Sequence, residues 1–213
     1  MKILVTGSSG FVGHHLVPRL EAAGHEVIPF SRSIGKDFLN SELPEADKVV
    51  HLAARVRADS TEYREDAQVN IIGTLRLLER YRDKVILIST VHAAQPTSSY
   101  AISKKAAEDY TLHFGGTVIR ACNLYGEGGK GIIDIFAKQD ILTIHGDGEQ
   151  RRTYASVESL CDLIITVLEK PGFYTLPGVE RSVNEIAQAT GKPVQHLPAR
   201  PNEASDAMQK LPH

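Results

Sequence analysis

Short apolar runs alternate with longer amphipathic segments over the first 125 residues of the chain. The apolar runs, each shorter than a typical helix, lie at residues 3–5, 27–30, 48–52, 84–89 and 117–120. The amphipathic segments, with apolar residues at helical spacing, run from Phe11 to Ala23, from Asp66 to Arg82 and from Tyr100 to Phe114. Buried strands that alternate with helices are typical of a doubly wound parallel sheet. The pattern therefore predicts an α/β fold of Rossmann-like type.

The pattern is less regular after Tyr125, where the segments are shorter and richer in glycine and proline. Residues 157–168 are predicted to form a helix. Ser182 occupies the N-cap position of another predicted helix, and Glu185 completes a capping box three residues later. The tail from Pro198 is predicted to be a loop. This part of the chain is predicted to be a small appendage to the parallel sheet.

Composition and charge exclude several classes of protein. The 213 residues carry a net charge of −2 and are 42% hydrophobic, so no basic surface for nucleic acid or membrane is expected. No apolar run approaches the roughly 20 residues of a membrane span, and the run after Lys2 is too short for a signal peptide. Cys122 and Cys161 are isolated, which argues against a disulfide framework and a zinc site. We therefore expect a cytoplasmic protein without a metal centre.

A glycine-rich turn follows the first predicted strand, with the sequence Gly-Ser-Ser-Gly-Phe-Val-Gly at residues 7–13. Its first glycine permits a tight turn, the second lets the backbone approach a phosphate, and the third lets the helix pack closely on the strand. The amides at the helix start can then hold the negative charge of a pyrophosphate. The spacing is not the common GxGxxG, but its place between a strand and a helix predicts a dinucleotide site. The candidate contacts are Gly7, Ser9, Gly10, Phe11, Val12 and Gly13.

The residues after the second predicted strand would select the nucleotide. An acidic residue there would bind the ribose hydroxyls and repel a 2′-phosphate. This chain instead has Ser31 and Arg32, with Lys36 close behind. A hydroxyl and a guanidinium suit a phosphate, although a solvated basic turn would have the same sequence. The cofactor is predicted to be NAD(P), with NADP favoured over NAD.

Two further segments are candidates for contact with the cofactor. Asp37 and Phe38 offer an acceptor and an apolar wall for adenine, although a plain loop acid would look the same. The third predicted strand is followed by Leu52, Ala53 and Ala54. Small side chains are needed where a backbone runs against a cofactor, so this segment is predicted to lie beside it.

Tyr100 and Lys104 form a proton-transfer motif on one helix face. The unperturbed pKa of tyrosine is about 10, so its phenolate must be stabilised before it can pass a proton at neutral pH. Lys104, one turn later, supplies a positive charge and can bind a nicotinamide ribose. Ser89 and Thr90, at the end of the preceding strand, offer a hydroxyl for the substrate oxygen. The alternative is a helix-start aromatic beside a surface lysine, but the glycine turn upstream favours nicotinamide-dependent catalysis.

Several motifs occur in an order that identifies a family. They are the glycine turn, His51 to Ala54, Asn70 to Thr74, Ile88 to Thr90, Tyr100 to Lys104, Arg120 to Gly126 and Gly146 to Tyr154. In this order they resemble the extended short-chain dehydrogenase/reductases, specifically the NAD-dependent epimerase/dehydratase family that acts on nucleotide sugars. The resemblance covers nearly the whole chain.

The resemblance implies a role for each matching residue. Tyr100 would be the acid/base, Lys104 its tuner and Thr90 the hydroxyl partner that also contacts the substrate. Asn70, Tyr100 and Lys104 would lie at the cofactor. Residues 1–125 would form the dinucleotide-binding core, with the helix at 157–168 packing back on it, and residues 126–213 a shortened substrate-binding part.

The resemblance also implies the partners of the protein. Asn123 would contact the diphosphate region of a nucleotide-diphosphate sugar, and Arg152 would pair with its phosphate, although an exposed loop arginine is the alternative reading. The helices at 66–82 and 100–114 would form the four-helix interface of a homodimer. No nucleic acid and no membrane are expected as partners.

The chain departs from the family's dehydratases directly after Thr90. Those enzymes commonly have Asp-Glu there, whereas this chain has Val91 and His92, which disfavours a 4,6-dehydratase. His92 could replace the acid or be an unremarkable polar residue. The loop from Thr90 to Tyr100 and the C-terminal part are short, which suits a smaller substrate or a pocket completed by a partner subunit.

The predicted function is a NAD(P)-dependent nucleotide-sugar 4-epimerase that works through a 4-keto intermediate. The alternative is an NADPH-dependent 4-keto-sugar nucleotide reductase, which would use the same residues and which Ser31 and Arg32 favour. An alternative of another class is a non-catalytic dinucleotide-sensing regulator. Such regulators often lose the tyrosine or the lysine, and this chain keeps both.

Overall fold

The computed structural model describes residues 1–56 and 62–199. The predicted C-terminal loop therefore lies almost entirely outside the described residues. The chain divides into two compact units: Met1–Ala121 with Glu158–Leu176, and Cys122–Val157 with the residues from Pro177 onward.

The described residues form strands and helices in the following chain order. The strands are β1 (Lys2–Thr6), β2 (Glu26–Phe30), β3 (Lys48–His51), β4 (Val85–Thr90), β5 (Thr117–Ala121), β6 (Asn123–Tyr125), β7 (Leu142–His145), β8 (Arg151–Ser156), β9 (Phe173–Thr175), β10 (Val179–Ser182) and β11 (Val194–Leu197). The α-helices are α1 (Phe11–Ala22), α2 (Tyr63–Asp66), α3 (Gly73–Tyr81), α4 (Ser99–His113), α5 (Ile132–Lys138), α6 (Val157–Thr166) and α7 (Val183–Thr190).

A six-stranded parallel sheet forms the centre of the first unit, in the order β2-β1-β3-β4-β5-β9 among the described residues. The chain passes from β1 to β2 on one side and then crosses to β3 on the other, so the topological switch point lies between β1 and β3. Ligands of open α/β sheets bind outside the carboxyl ends of the strands at this point. The predicted Rossmann-like fold is confirmed.

The buried apolar runs explain the central strands. Ile3, Leu4, Val5, Val49 and Val50 are fully buried, because helices cover both faces of the sheet. Burying a side chain of this size contributes roughly 1.5–3 kcal/mol relative to leaving it exposed. The runs that predicted strands are therefore also the core of the first unit.

The segment predicted as one helix from Asp66 to Arg82 is interrupted. It consists of α2, a π-helical turn at Ala67–Ile72, and α3. Gly73 begins α3, and a Cβ built on it would lie 2.3 Å from the Phe38 ring, so that ring packs directly on the helix backbone. Apolar periodicity does not separate an α turn from a π turn, which is why the sequence predicted a continuous helix.

Helix α6 lies in the first unit from Glu158 onward and is tied to α1 by charged side chains. Arg19 donates to Asp162 over 2.7 Å, and His15 lies 3.5 Å from Glu158. The helix ends at Thr166, slightly before the predicted end.

The second unit contains a mixed sheet in the order β10-β8-β6 and a parallel pair of β11 with β7. Its core is formed by Phe136, Leu142, Ile144, Tyr154, Val183, Ile186 and Ala187. Helix α7 has the predicted capping box: the Glu185 amide donates to Ser182 Oγ, and Glu185 Oε2 accepts from the Ser182 amide. The smaller mixed sheet agrees with the predicted fold class.

No helix among the described residues has both the length and the apolar character needed to cross a membrane. In the same residues, no group of three or more His, Cys, Asp or Glu side chains is arranged to hold a metal ion.

Candidate active site

A cavity of about 470 Å³ lies at the carboxyl ends of β1, β2 and β3. The predicted cofactor contacts that line it are Gly7, Ser9, Gly10, Phe11, Val12, Gly13, Ser31, Arg32, Asp37, Phe38, Leu52, Ala53 and Ala54. It is also lined by Phe30, Ser33, Lys36, Leu39, Val56 and Val69. Of this second group, the sequence pattern indicated only Lys36, as a cation close to Arg32. The end of a parallel strand would have indicated Phe30, but no sequence signal distinguishes Val69.

The glycine turn allows the start of α1 to approach the sheet. Gly7 has φ +71°, and a Cβ built on it would lie 2.8 Å from the Ala53 nitrogen. A Cβ on Gly13 would lie 2.3 Å from the Ser8 carbonyl oxygen. Gly10 is the N-cap of α1 and supplies no capping side chain, so the first amides of the helix remain available to an anion in the cavity.

A buried histidine supports the backbone behind the cavity. The Thr74 hydroxyl donates to the Asn70 carbonyl over 2.7 Å, so it accepts from His51 Nε2, which lies 3.2 Å away. His51 Nδ1 then accepts from the Thr6 hydroxyl over 2.7 Å, and that hydroxyl accepts from the Ala53 amide. Burial lowers the pKa of His51 to about 3, and the positive charge of Lys104 lowers it further. The histidine is therefore neutral and holds residues 52–54 in place.

The nucleotide-selecting end of the cavity contains hydroxyls and cations. The hydroxyls of Ser31 and Ser33 lie 3.0 Å apart, and the Lys36 ammonium lies 5.8 Å from the centre of the Phe30 ring. Within the part of the chain that the structure describes, the guanidinium of Arg32 has no hydrogen-bond or ion-pair partner. This group is therefore available to an anionic ligand.

The acidic and aromatic candidates at residues 37 and 38 belong to an ordered loop. The Asp37 carboxylate accepts from the Leu39 amide over 3.0 Å, and the Phe38 ring packs edge-on against His51, with 5.2 Å between ring centres. Arg76 of α3 donates to the carbonyls of Phe38 and, over 2.7 Å, of Ser41. Helix α3 thus positions this loop, a contact that the sequence did not indicate.

Helix α4 carries the catalytic candidates at the carboxyl end of β4. Ser98 caps the helix by accepting from the Ala101 amide over 3.2 Å. Tyr100 and Lys104 are both buried, and the Lys104 ammonium donates to the Ile88 carbonyl over 2.8 Å. Thr90, at the end of the same strand, accepts from the His92 amide over 3.3 Å. The structure therefore brings Lys104 to the strand end that carries Thr90.

Burial dominates the acid–base properties of the pair. It raises the pKa of Tyr100 to about 12. It also lowers the pKa of Lys104 to about 8, against the opposing effect of the Glu108 carboxylate. The side chains of the protein alone thus keep Tyr100 protonated at neutral pH. Stabilisation of its phenolate by Lys104 stays a prediction.

The remaining predicted cofactor residues are Asn70, Tyr100 and Lys104, none of which lines the cavity beside the glycine turn. Asn70 is buried, and its side-chain amide is bonded to the backbone of Arg55 and to Ser103. Its predicted contact with the cofactor is therefore untested, and its observed contacts are with the protein.

Two of the three predicted substrate residues, Asn123 and Arg152, lie in the second unit, and the third, Thr90, lies in the first. Asn123 lines a cavity of about 210 Å³ in the second unit, and its amide donates to the Thr153 carbonyl over 3.1 Å. Arg152 donates to the Arg151 carbonyl over 2.7 Å. Arg151 is paired with Glu185 over 2.8 Å, and this bond raises the pKa of the guanidinium. Both arginines therefore have contacts within the protein, and the pairing of Arg152 with a substrate phosphate stays a prediction from the resemblance.

Known proteins of one family match most of this chain. The NAD dependent epimerase/dehydratase family matches residues 3–175. A UDP-glucose 4-epimerase of Mycolicibacterium smegmatis is 29% identical, with 91% of this chain and 84% of that protein covered. The solved structure of a UDP-glucose 4-epimerase of Thermotoga maritima, with UDP-glucose, has a TM-score of 0.79 and 27% identity over 95% of this chain and 87% of that one.

A relative with a different activity, and a solved structure that holds UDP-glucose and NAD, match at a similar level. UDP-glucuronic acid decarboxylase 2 of Arabidopsis thaliana is 26% identical over 100% of this chain but only 62% of its own length. That alignment extends over 281 positions, more than the 213 residues of this chain, so segments of the relative have no counterpart here. The structure of MoeE5 with UDP-glucose and NAD has a TM-score of 0.81 and 26% identity, covering 94% of this chain and 86% of that one.

Proposed function

This chain belongs to the NAD dependent epimerase/dehydratase family, and from that premise we propose that it is a nucleotide-sugar 4-epimerase. The observation that carries the proposal is the arrangement at the carboxyl end of β4. Lys104 is anchored there to the Ile88 carbonyl, one turn after Tyr100 and beside the strand end with Thr90. The similarity to two UDP-glucose 4-epimerases supports this choice within the family.

The cavity of the first unit suits a dinucleotide. Its volume of about 470 Å³ is within the range of cofactor sites, and it is lined by small residues where backbone must approach a ligand closely. The uncapped start of α1 offers amides to a pyrophosphate. When bound, the dinucleotide would supply redox chemistry: the oxidised form would accept hydride from C4 of the sugar, and the same hydride would be returned to the opposite face of the 4-keto sugar.

The residues of the chain would handle the proton. Tyr100 would take the proton of the sugar 4-hydroxyl at its phenol oxygen and give it back to the epimer, with Thr90 bonded to the same sugar oxygen. Because burial raises the pKa of Tyr100, a positive charge is needed to stabilise its phenolate. Lys104 is largely protonated below its pKa of about 8 and can supply that charge near neutral pH.

The diphosphate of the substrate would bind to the second unit. Arg152 offers a guanidinium that can pair with a phosphate, and Asn123 offers an amide beside a cavity. A protein that is similar to this chain, MoeE5, binds a nucleotide sugar of this class, UDP-glucose. A UDP-sugar is therefore the first substrate to assay.

A 4-keto-sugar nucleotide reductase is the second candidate, and the cations at the end of β2 favour it. Arg32, Lys36 and two serine hydroxyls line the cavity where an NAD-selective acid would stand, and these groups suit a 2′-phosphate. The family is described as NAD dependent, and a relative binds NAD, so NADP remains the less supported cofactor.

The decisive experiment is to identify the dinucleotide released from the purified protein and to assay UDP-glucose conversion by wild type and Tyr100→Phe. Retained NAD⁺ or NADP⁺ and reversible conversion to the 4-epimer would support the epimerase. Protein that emerges empty but oxidises NADPH with a 4-keto sugar would establish the reductase. Dinucleotide binding without turnover of any nucleotide sugar would indicate the regulator instead.

We also infer a homodimer formed through the helices at 66–82 and 100–114. Ile102 and Tyr110, eight positions apart on α4, are exposed apolar side chains that share one side of that helix, and such an interface would cover them. Light scattering on the purified protein should give twice the monomer mass. A monomer mass at micromolar concentration would exclude the interface.

A further inference from the structure

A glycine-rich loop connects β6 to α5 in the second unit. It has the sequence Gly-Glu-Gly-Gly-Lys-Gly at residues 126–131, and none of the predicted site residues belongs to it. Its last residue, Gly131, lines the cavity of about 210 Å³ that Asn123 also lines. Ile132 and Ile133, at the start of α5, line the same cavity. The end of the loop and the first turn of the helix therefore form part of the cavity wall.

A single carboxylate lies inside this loop. It belongs to Asp134 in the first turn of α5, and the residue is 8% exposed. Its Oδ1 accepts from the Gly126 amide over 2.9 Å, and its Oδ2 accepts from the Gly131 amide over 3.2 Å. A buried carboxylate is costly unless it is hydrogen-bonded, and these two backbone donors meet that need. Asp134 thus joins the first and the last residue of the loop.

The middle of the loop packs on the same carboxylate. A Cβ built on Gly129 would lie 2.2 Å from Asp134 Oδ2, so a side chain at position 129 and the carboxylate exclude each other. The Gly129 amide donates to the Gly126 carbonyl over 2.9 Å, which closes a turn within the loop. The loop is therefore wrapped around Asp134, and the glycine at position 129 makes this possible.

These contacts define what the loop can do. A glycine-rich loop with free amides can bind a phosphate. In this loop the amides of Gly126, Gly129 and Gly131 are already bonded within the protein. The loop is therefore better suited to be a fixed wall of the cavity than a cradle for phosphate.

We propose that Asp134 is a positioning residue that holds the loop at 126–131 in the shape that the nucleotide sugar needs beside Asn123. The proposal rests on the proposed function, because it takes this cavity as part of the substrate site. A loop that is already held in its bound shape does not have to be ordered when the ligand binds, and this saving increases affinity. Asp134 therefore acts on substrate affinity and not on the chemical step at Tyr100.

The test measures affinity for UDP by calorimetry, with GDP and dTDP as further probes, and KM and kcat for the nucleotide sugar. Asp134→Ala removes both acceptors, so nucleotide affinity should weaken about 10-fold and KM should rise by a similar factor. Asp134→Asn keeps one carbonyl oxygen, so its loss should be smaller, about threefold. In both variants kcat and dinucleotide affinity should stay within about twofold, since the described lining of the dinucleotide cavity includes no residue of this loop.

Gly129→Ala tests the same contact from the other side and keeps the negative charge. Its methyl group would displace the carboxylate, so nucleotide affinity should fall as in Asp134→Ala, and the double variant should show no further loss. Lys192→Met is the matched control, because the Lys192 ammonium holds the other end of α5. It donates to the carbonyls of Phe136 and Gln139 over 2.9 and 2.7 Å. This variant should lower the melting temperature and leave nucleotide affinity unchanged.

Amide hydrogen exchange tests the contact without any ligand. The Gly126 and Gly131 amides should exchange slowly in wild type and in Lys192→Met, and at least about 10-fold faster in Asp134→Ala, which lacks their acceptor. Slow exchange in Asp134→Ala would refute the contact. Faster exchange with unchanged nucleotide affinity and KM would mean that Asp134 is merely structural, and an equal loss of affinity in Lys192→Met would mean that any damage to α5 suffices. Either result would overturn the proposal.

The same data separate this proposal from the proposed function. Nucleotide binding that depends on Asp134, in a wild-type protein that converts no nucleotide sugar, would refute the proposed function alone. Sugar conversion by wild type, with the same KM in Asp134→Ala, would refute the positioning role alone. A wild-type protein that binds none of the three nucleotides would overturn both.

Discussion

The central strands of the first unit and two edge strands of the second differ in how deeply they are buried. In the first unit, β3 and β4 are buried along nearly their whole length, and their apolar residues are consecutive, Val49 and Val50 in β3 and Val85 to Ile88 in β4. In the second unit, β11 is exposed throughout and β10 is exposed except for its last residue, Ser182. Strand length is similar in both units, so burial and not length separates them. A sequence predicts a strand well when the strand is buried on both faces, because only then does every position have to be apolar.

The candidate residues of the two units differ in the same way. Except for Asn70, those of the first unit lie at strand ends, in the glycine turn or on the helix α4 that follows β4, and the topology of the sheet brings strand ends and the turn to one edge. Asn123 and Arg152 of the second unit were predicted only by resemblance to a family. The following substitutions measure this difference, starting with the largest effect.

Phe136→Ala should have the largest effect on stability and should act on the second unit. Phe136 is fully buried in the core of that unit, and deletion of a buried phenylalanine side chain typically costs about 3–4 kcal/mol. Amide exchange should show this loss in α7 and β8, with β1 and β4 keeping their protection. An equal loss in both units would mean that the chain unfolds as one cooperative structure, and the comparison would fail.

Gly13→Ala should act on the first unit, by about 2–3 kcal/mol. The added Cβ would lie 2.3 Å from the Ser8 carbonyl oxygen, and a backbone atom cannot move away as a flexible side chain can. Dinucleotide affinity should fall together with the denaturation midpoint. The matched control is Gly131→Ala in the second unit, where the nearest atom is 3.5 Å from the new Cβ. Equal effects of the two substitutions would contradict a specific close approach at the glycine turn.

Prediction from sequence succeeded where one physical requirement determined a residue. Gly13 could be predicted because no other residue allows the helix to approach the strand, and Glu185 because a capping box is local. The π-helical turn and the contacts of Arg76 with the loop after Asp37 could not be predicted. The Arg76 contacts join residues 38 and 35 positions apart, and nothing in either local sequence determines that pairing. The π turn has the same apolar periodicity as an α turn, so the pattern did not separate them.

Lys104→Met should change the pH dependence of stability in the first unit. The pKa of Lys104 is lowered to about 8 in the folded protein from 10.5, so between these values the unfolded chain binds more protons than the folded one. The stability of wild type relative to the variant should therefore rise with pH in this window, by about 1 kcal/mol per pH unit. Urea denaturation of both proteins at several pH values checks the slope. Lys105→Met, at a half-buried position of the same helix, should leave the wild-type slope unchanged.

Removal of a helix N-cap should have the smallest effect and should separate stability from catalysis. Ser182→Ala deletes the acceptor of the Glu185 amide at α7, and Ser98→Ala deletes the acceptor of the Ala101 amide at α4. Each substitution should lower the free energy of unfolding by about 1 kcal/mol, because a cap satisfies one amide of the first helical turn.

Only Ser98→Ala should also lower kcat, since its helix begins with the turn that carries Tyr100. The measurement is kcat of both variants under conditions where both are fully folded. If the two variants keep the same kcat, the start of α4 does not have to be held in place for catalysis. A fall in kcat confined to Ser98→Ala would assign to the first unit a dependence on local geometry that the second unit lacks.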